Sequence, residues 1–169
     1  TGRLVAKELR YVFADTDILV ERREQLTVSE IFANHGENYF RKREHEMLVE
    51  LCGQDRQVIA TGGGMLANEV NLHLAQSSGL VVLLTAPASA LEHRLRYRND
   101  RPLLAVPDPV ERLIEIENRR REVWDLIDCR VDTYGLSPLQ VAEQVVRGIE
   151  QHYDLIVTNF ANGDVIGHT

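Results

Sequence analysis

Short apolar runs of strand length alternate along the chain with longer stretches of helical period, the pattern of a parallel sheet covered by helices. Strands are predicted over residues 11–14, 58–61, 80–84 and 129–132. Residues 80–84 are apolar at every position, as a strand buried on both faces of a parallel sheet must be. The helices carry their own start signals in Thr27-Val28-Ser29-Glu30, Asp108-Pro109-Val110-Glu111 and Ser137-Pro138-Leu139-Gln140. Each puts a capping residue three places before Glu or Gln, and the last two put Pro at the first helical position. Between Gly36 and Gly53, the residues Phe40, Met47, Leu48 and Leu51 share one helical face, with Arg41, Arg43, Glu44 and Glu46 mostly on others.

Three irregular stretches interrupt the alternation, at residues 15–17, 62–64 and 99–108, and the first two directly follow a predicted strand. In open α/β sheets ligands bind beyond the carboxyl ends of the strands, so these two loops are where chemistry is expected. Asp15-Thr16-Asp17 would put two carboxylates on the same side of an extended segment. Such a pair can divide labour, one holding a metal-bound water while the other accepts a proton or orients a hydroxyl. Asp also caps helices, and the residues after Asp17 read as helical, so a capping role for one of the two stands equally open. Gly62-Gly63-Gly64 removes every Cβ where a ligand could lie against the backbone and offers N–H groups for an anion or hydroxyl. The plain alternative is a flexible turn, although a tight turn rarely needs three glycines.

Composition narrows the ligand. With 169 residues, 44% hydrophobic and 27% charged, the chain suits one core that buries about two thirds of its unfolded surface. The longest apolar run, residues 80–86, is far short of the roughly 20 that a membrane helix requires. A formal charge of -7 argues against a broad nucleic-acid footprint. The basic residues are nonetheless all arginine apart from Lys7 and Lys42, with clusters at Arg94, Arg96, Arg98 and Arg101 and at Arg119, Arg120 and Arg121. Arginine grips carboxylate and phosphate in bidentate fashion, which favours an acidic small molecule; the bland reading is a set of solvated helix faces. Cys52 and Cys129 lack the spacing of a disulfide framework or a zinc site, and a cytoplasmic protein is expected. The chain opens on Thr1, so an upstream piece, with whatever targeting signal it carries, is expected.

The order of motifs is specific. Phe13-Ala14-Asp15-Thr16-Asp17, Ser29-Glu30-Ile31-Phe32, Gly36-Glu37 with Phe40-Arg41 and Glu44, Ala60-Thr61-Gly62-Gly63-Gly64, and Arg101-Pro102-Leu103-Leu104 resemble shikimate kinase in order and approximate spacing. The resemblance runs over residues 1–150. It implies a P-loop kinase-like three-layer α/β fold with a parallel sheet, and ATP- and Mg²⁺-dependent phosphorylation of the 3-hydroxyl of shikimate by a monomer. By the same resemblance Asp17 contacts the shikimate hydroxyls and acts as base, and Asp15 is the acid associated with magnesium. Arg41 and Arg120 grip the shikimate carboxylate, Gly62, Gly63 and Gly64 lie beneath its ring, Arg101 reaches the transferring phosphate from a lid, and Arg94 packs by the adenine. The family's Arg-x-Pro-Leu-Tyr reads here as Arg120-Arg121-Glu122-Val123-Trp124, which leaves the choice among Arg119, Arg120 and Arg121 open.

Both ends depart from the family pattern. No Gly-x-x-Gly-x-Gly-Lys-[Ser/Thr] run occurs in the sequence, so the resemblance implies that the first strand and phosphate loop are missing and that this chain does not turn over. Residues 153–169 resemble a short piece of cofactor-independent phosphoglycerate mutase, in which Asp164 and His168 match two metal ligands; two ligands do not make a site. The blander expectation for this tail is an extra strand from Leu155, Ile156 and Val157, filling the place vacated at the sheet centre. Two other readings compete with a kinase of shikimate: a non-catalytic sensor domain of the same build, and a kinase for another small molecule such as a sugar acid.

Overall fold

The computed structural model describes residues 1–87, 109–149 and 155–160. Five parallel strands form its middle layer: β1 (Val12–Asp15), β2 (Gln57–Thr61), β3 (Leu80–Thr85), β4 (Cys129–Asp132) and β5 (Leu155–Phe160), in the order β1-β2-β5-β3-β4. The helices are α1 (Gly2–Leu9), α2 (Thr16–Glu24), α3 (Val28–His35), α4 (Glu37–Cys52), α5 (Glu69–Ser78), α6 (Pro109–Trp124) and α7 (Pro138–Ile149), with a 3-10 turn over Met65–Ala67.

Burial on both faces explains the unbroken apolar strands. Along β2 and β3 successive residues serve opposite cores: Ile59, Val81 and Leu83 join one cluster, Val58, Val82 and Leu84 the other. The first core is closed by Val20 of α2, Ile31 of α3, Phe40, Met47, Leu48 and Leu51 of α4, Leu72 of α5 and Trp124 of α6. Val5 and Ala6 of α1 close the second, with Val141, Ala142, Val145 and Ile149 of α7 at helical spacing. Each fully buried aliphatic side chain contributes roughly 1.5–3 kcal/mol. Edge strand β1 needs less: Val12 is exposed.

The last strand among the described residues occupies the middle of the sheet. β5 pairs in parallel with β2, Gln57 opposite Leu155 through Thr61 opposite Asn159, and with β3, Leu80 opposite Ile156 through Leu84 opposite Phe160. It therefore supplies ladder partners to two strands that would otherwise present bare inner edges.

Two expectations are corrected. The first strand begins at Val12 and runs through Asp15, not over 11–14. Arg10 adopts the left-handed conformation that closes α1, and the Tyr11 amide donates to the Ala6 carbonyl at 2.8 Å, so Tyr11 belongs to the helix cap. The stretch 15–17 is not irregular, because β1 passes directly into α2 at Thr16. The capping signals at Thr27 with Glu30 and Ser137 with Gln140 form reciprocal boxes. Asp108 and the stretch 99–108 lie outside the described residues.

Candidate active site

At the carboxyl ends of β1 and β2 the chain turns twice, and both turns face the same space. Asp15 ends β1 and caps α2, its Oδ1 accepting from the Ile18 amide at 3.3 Å. Thr16 is fully buried and donates its hydroxyl to the Ala60 carbonyl of β2 at 3.3 Å, pinning the start of α2 to the neighbouring strand. Asp17 is thereby carried on the first turn of a helix, and the picture of two carboxylates on one side of an extended segment does not hold. Asp17 instead faces the glycine loop: a Cβ added to Gly62 would sit 3.1 Å from its Oδ1 and 3.3 Å from its Oδ2.

The loop itself is Gly62-Gly63-Gly64, closed by the Met65 amide donating to the Gly62 carbonyl at 3.1 Å. Among the described residues, the positive-φ glycines are Gly36 and Gly135, so this loop needs glycine for room rather than for backbone freedom. At Gly64 the demand is sharpest, because a Cβ there would come within 2.6 Å of Arg41 Nη1 and 2.8 Å of its Cζ.

Arg41 is held by two carboxylates of its own helix. Its Nη1 donates to Glu44 at 2.6 Å, and Nη2 and Nε donate to Glu37 at 2.9 and 3.2 Å. Glu44 is only 1% exposed, on the buried face of α4, which corrects its expected place among the solvent-facing charges. Burial raises its carboxyl to about 7; Asp17 adds to the rise, while Arg41 and Arg120 oppose it. Asp17, Arg41, Glu44 and Arg120 thus form one electrostatic cluster. The missed signal was positional: Glu44 lies four residues after Phe40 and three before Met47, on the apolar stripe itself.

From the far side, α6 brings Arg120, whose Nη1 donates to the Gly63 carbonyl at 2.7 Å and whose Cζ lies 6.0 Å from the Trp124 ring centroid. Its neighbours turn elsewhere. Arg119 reaches Glu115 at 3.8 Å on an exposed face, and Arg121 donates to Asn118 at 3.0 Å. Of the three arginines left open by sequence, Arg120 is the one at the loop.

Each glycine of the loop therefore meets one charged side chain: Gly62 Asp17, Gly63 Arg120, and Gly64 Arg41. Two guanidinium groups converging beside one carboxylate suit a ligand bearing both an acid and hydroxyl groups. A cavity of about 460 Å³ runs beside β1, lined by Arg3, Val12, Phe13, Asp15, Arg22 and Met47 among others; among the described residues of the predicted site, Asp15 alone borders it. Among the described residues no three His, Cys, Asp or Glu side chains gather as a metal site. Arg94, Arg101, Asp164 and His168 lie outside the described residues.

A family model described as Shikimate kinase matches residues 1–150. A shikimate kinase of Thermodesulfovibrio yellowstonii is 37% identical over 150 residues, covering 89% of this chain and 87% of that protein. One from Caldanaerobacter subterraneus subsp. tengcongensis is 38% identical over 146 residues, covering 86% and 85%. Among solved structures, shikimate kinase from Acinetobacter baumannii in complex with shikimate superposes with a TM-score of 0.83 at 30% identity, over 88% of this chain and 83% of that one.

Proposed function

Because the chain belongs to the shikimate kinase family, whose members phosphorylate an alcohol with ATP as substrate, we propose that its glycine loop and the four charged groups around it are the shikimate-binding half of that site. The observation that carries this reading is the one-to-one meeting of Gly62, Gly63 and Gly64 with Asp17, Arg120 and Arg41. Arg41 and Arg120 bind the substrate carboxylate by charge-assisted hydrogen bonds. Asp17 orients the hydroxyl groups and takes the proton of the one that attacks phosphorus. Gly62 and Gly64 let the ring approach the backbone without displacing Asp17 or Arg41.

Phosphoryl transfer depends on positioning and on neutralising charge, and the ATP side of this assignment falls to Arg94 by the adenine and Arg101 at the transferring phosphate. Magnesium fits as a guest of Asp15, whose half-buried carboxylate engages α2 through Oδ1, since this cation commonly takes one or two carboxylates and completes its shell with phosphate and water. When bound it would neutralise phosphate charge. The 169 residues contain no Gly-x-x-Gly-x-Gly-Lys run, so for this polypeptide assayed by itself the expectation is shikimate binding without phosphoryl transfer.

Calorimetric titration of shikimate into the purified chain and its Arg41→Ala variant tests the reading. Binding that weakens about tenfold or more in the variant is expected, since a charge-assisted bond is worth roughly 1.5–3 kcal/mol. Absence of shikimate binding, or equal affinity in both proteins, would refute it.

A further inference from the structure

The glycine loop is anchored at its C-terminal end by a side chain that the reaction itself does not call on. Asn71, in the first turn of α5 and 5% exposed, donates from Nδ2 to the Met65 carbonyl at 3.0 Å. Its Oδ1 lies 2.6 Å from Nδ1 of His45 on α4. The two contacts fix one another. A carbonyl can only accept, so the carboxamide must present its nitrogen to Met65 and its oxygen to His45, and His45 must then carry a proton on Nδ1. The result is a directed chain from α4 through Asn71 to the first residue after Gly64.

Its end points give it a function. His45 lies one helical turn beyond Arg41 on α4, and Met65 directly follows the glycine whose α-carbon Arg41 crowds. The relay therefore sets the separation between the loop and the same turn of α4 that carries Arg41 and Glu44. That separation has little slack, since the guanidinium already lies closer to Gly64 than a methyl group would permit. A buried amide bonded at both ends is a stiff spacer, and its loss leaves the Met65 carbonyl with the longer bond from the Asn68 amide, at 3.4 Å, and no tie to α4.

Resting on the functional reading above, we propose that Asn71 and His45 are positioning residues for shikimate binding, holding the glycine loop at the distance from Arg41 that the substrate carboxylate requires. The variants Asn71→Leu, His45→Leu and His45→Asn test this in the full chain. Three readouts apply: shikimate affinity by calorimetry, ¹⁵N NMR of the His45 ring with the Arg41 Nε–H resonance, and the melting temperature. Expected are an Nδ1-protonated His45 in the unmodified chain and a shifted or broadened Arg41 signal in Asn71→Leu and His45→Leu. Both should also lose affinity on the order of tenfold, the scale of a small misplacement of a binding group. His45→Asn, whose amide nitrogen stands where Nδ1 stood and can still donate to Asn71, should recover most of it.

A His45 ring with Nδ1 unprotonated overturns the proposal. So does an Asn71→Leu chain that melts earlier yet keeps both its shikimate affinity and its Arg41 resonance, the outcome of a purely structural role. Should the unmodified chain bind no shikimate, the functional reading fails, and the ring protonation and Arg41 resonance alone decide the relay.

Discussion

Replacing Gly64 by alanine adds one methyl group at the point where the loop and α4 approach most closely. The new Cβ would lie 2.6 Å from Arg41 Nη1, 2.7 Å from Nη2 and 2.8 Å from Cζ. Ordinary contact requires about 3.5 Å, so the guanidinium must retreat by roughly 1 Å. What resists this is Glu44, to which the bond is 2.6 Å long and which sits in the buried face of the helix. A shift of that size away from Glu44 takes this bond beyond hydrogen-bond range and, on the proposed reading, moves Arg41 off the substrate carboxylate. Losing a charge-assisted bond costs about 1.5–3 kcal/mol, so shikimate affinity should fall roughly ten- to hundredfold. Isothermal titration measures this directly, with circular dichroism and a thermal melt to establish that the variant is folded. Gly62→Ala is the internal comparison: its nearest atom is Asp17 Oδ1 at 3.1 Å, and a smaller loss is expected. A folded Gly64→Ala chain that binds shikimate within about threefold of the parent would refute the argument that the glycine exists to admit Arg41.

Arg120→Ala should weaken shikimate binding about tenfold or more, whereas Arg119→Ala and Arg121→Ala, on exposed faces, should change it by less than about threefold in the same titration. Glu44 makes stability depend on pH with a definite sign. Its folded-state value of about 7 stands above the ordinary 4.5, so the native state holds a proton that the unfolded chain has released between those values. Stability should therefore decline by about 3 kcal/mol as pH rises from 4.5 to 7, and denaturant melts of Glu44→Gln should lack that decline; identical slopes in the two proteins would contradict the assignment. Val157→Pro removes a ladder donor from β5 where it pairs with Ile59 and Val81, and should cost about 1–3 kcal/mol in the same melts; an unchanged midpoint would mean that β5 does not hold the sheet together.

Much of this architecture was legible because the pattern and the physics agree. An uninterrupted run such as Leu80 to Leu84 suits only a strand covered on both faces, and capping boxes such as Thr27 with Glu30 are local devices readable within four residues. Asp17, Arg41 and Arg120 of the candidate site were named by motif order, and the structure brings all three to the three adjacent glycines. Position was harder. Asp17 could not be oriented until Thr16 was seen bonded across to Ala60, 44 residues away in sequence. Glu44 carries a polar side chain at an apolar-stripe position, where its ion pair with Arg41 and the nearby Arg120 offset part of the cost of burial. The choice of Arg120 among three neighbours depended on which face of α6 meets the loop, a tertiary fact with no local signature.

The position of β5 also bears on how the chain reaches its native state. During synthesis from the N-terminus, β2 and β3 leave the ribosome long before the strand that lies between them, and β2 waits on the order of 100 residues for its inner partner. Until then two strands with apolar runs, Val58 to Ala60 and Leu80 to Leu84, carry unpaired inner edges, a template for association with other chains. Folding of this sheet is therefore expected to wait for β5, dominated by long-range closure and responsive to chaperones, with nascent chains halted before Leu155 aggregating more than chains that include β5.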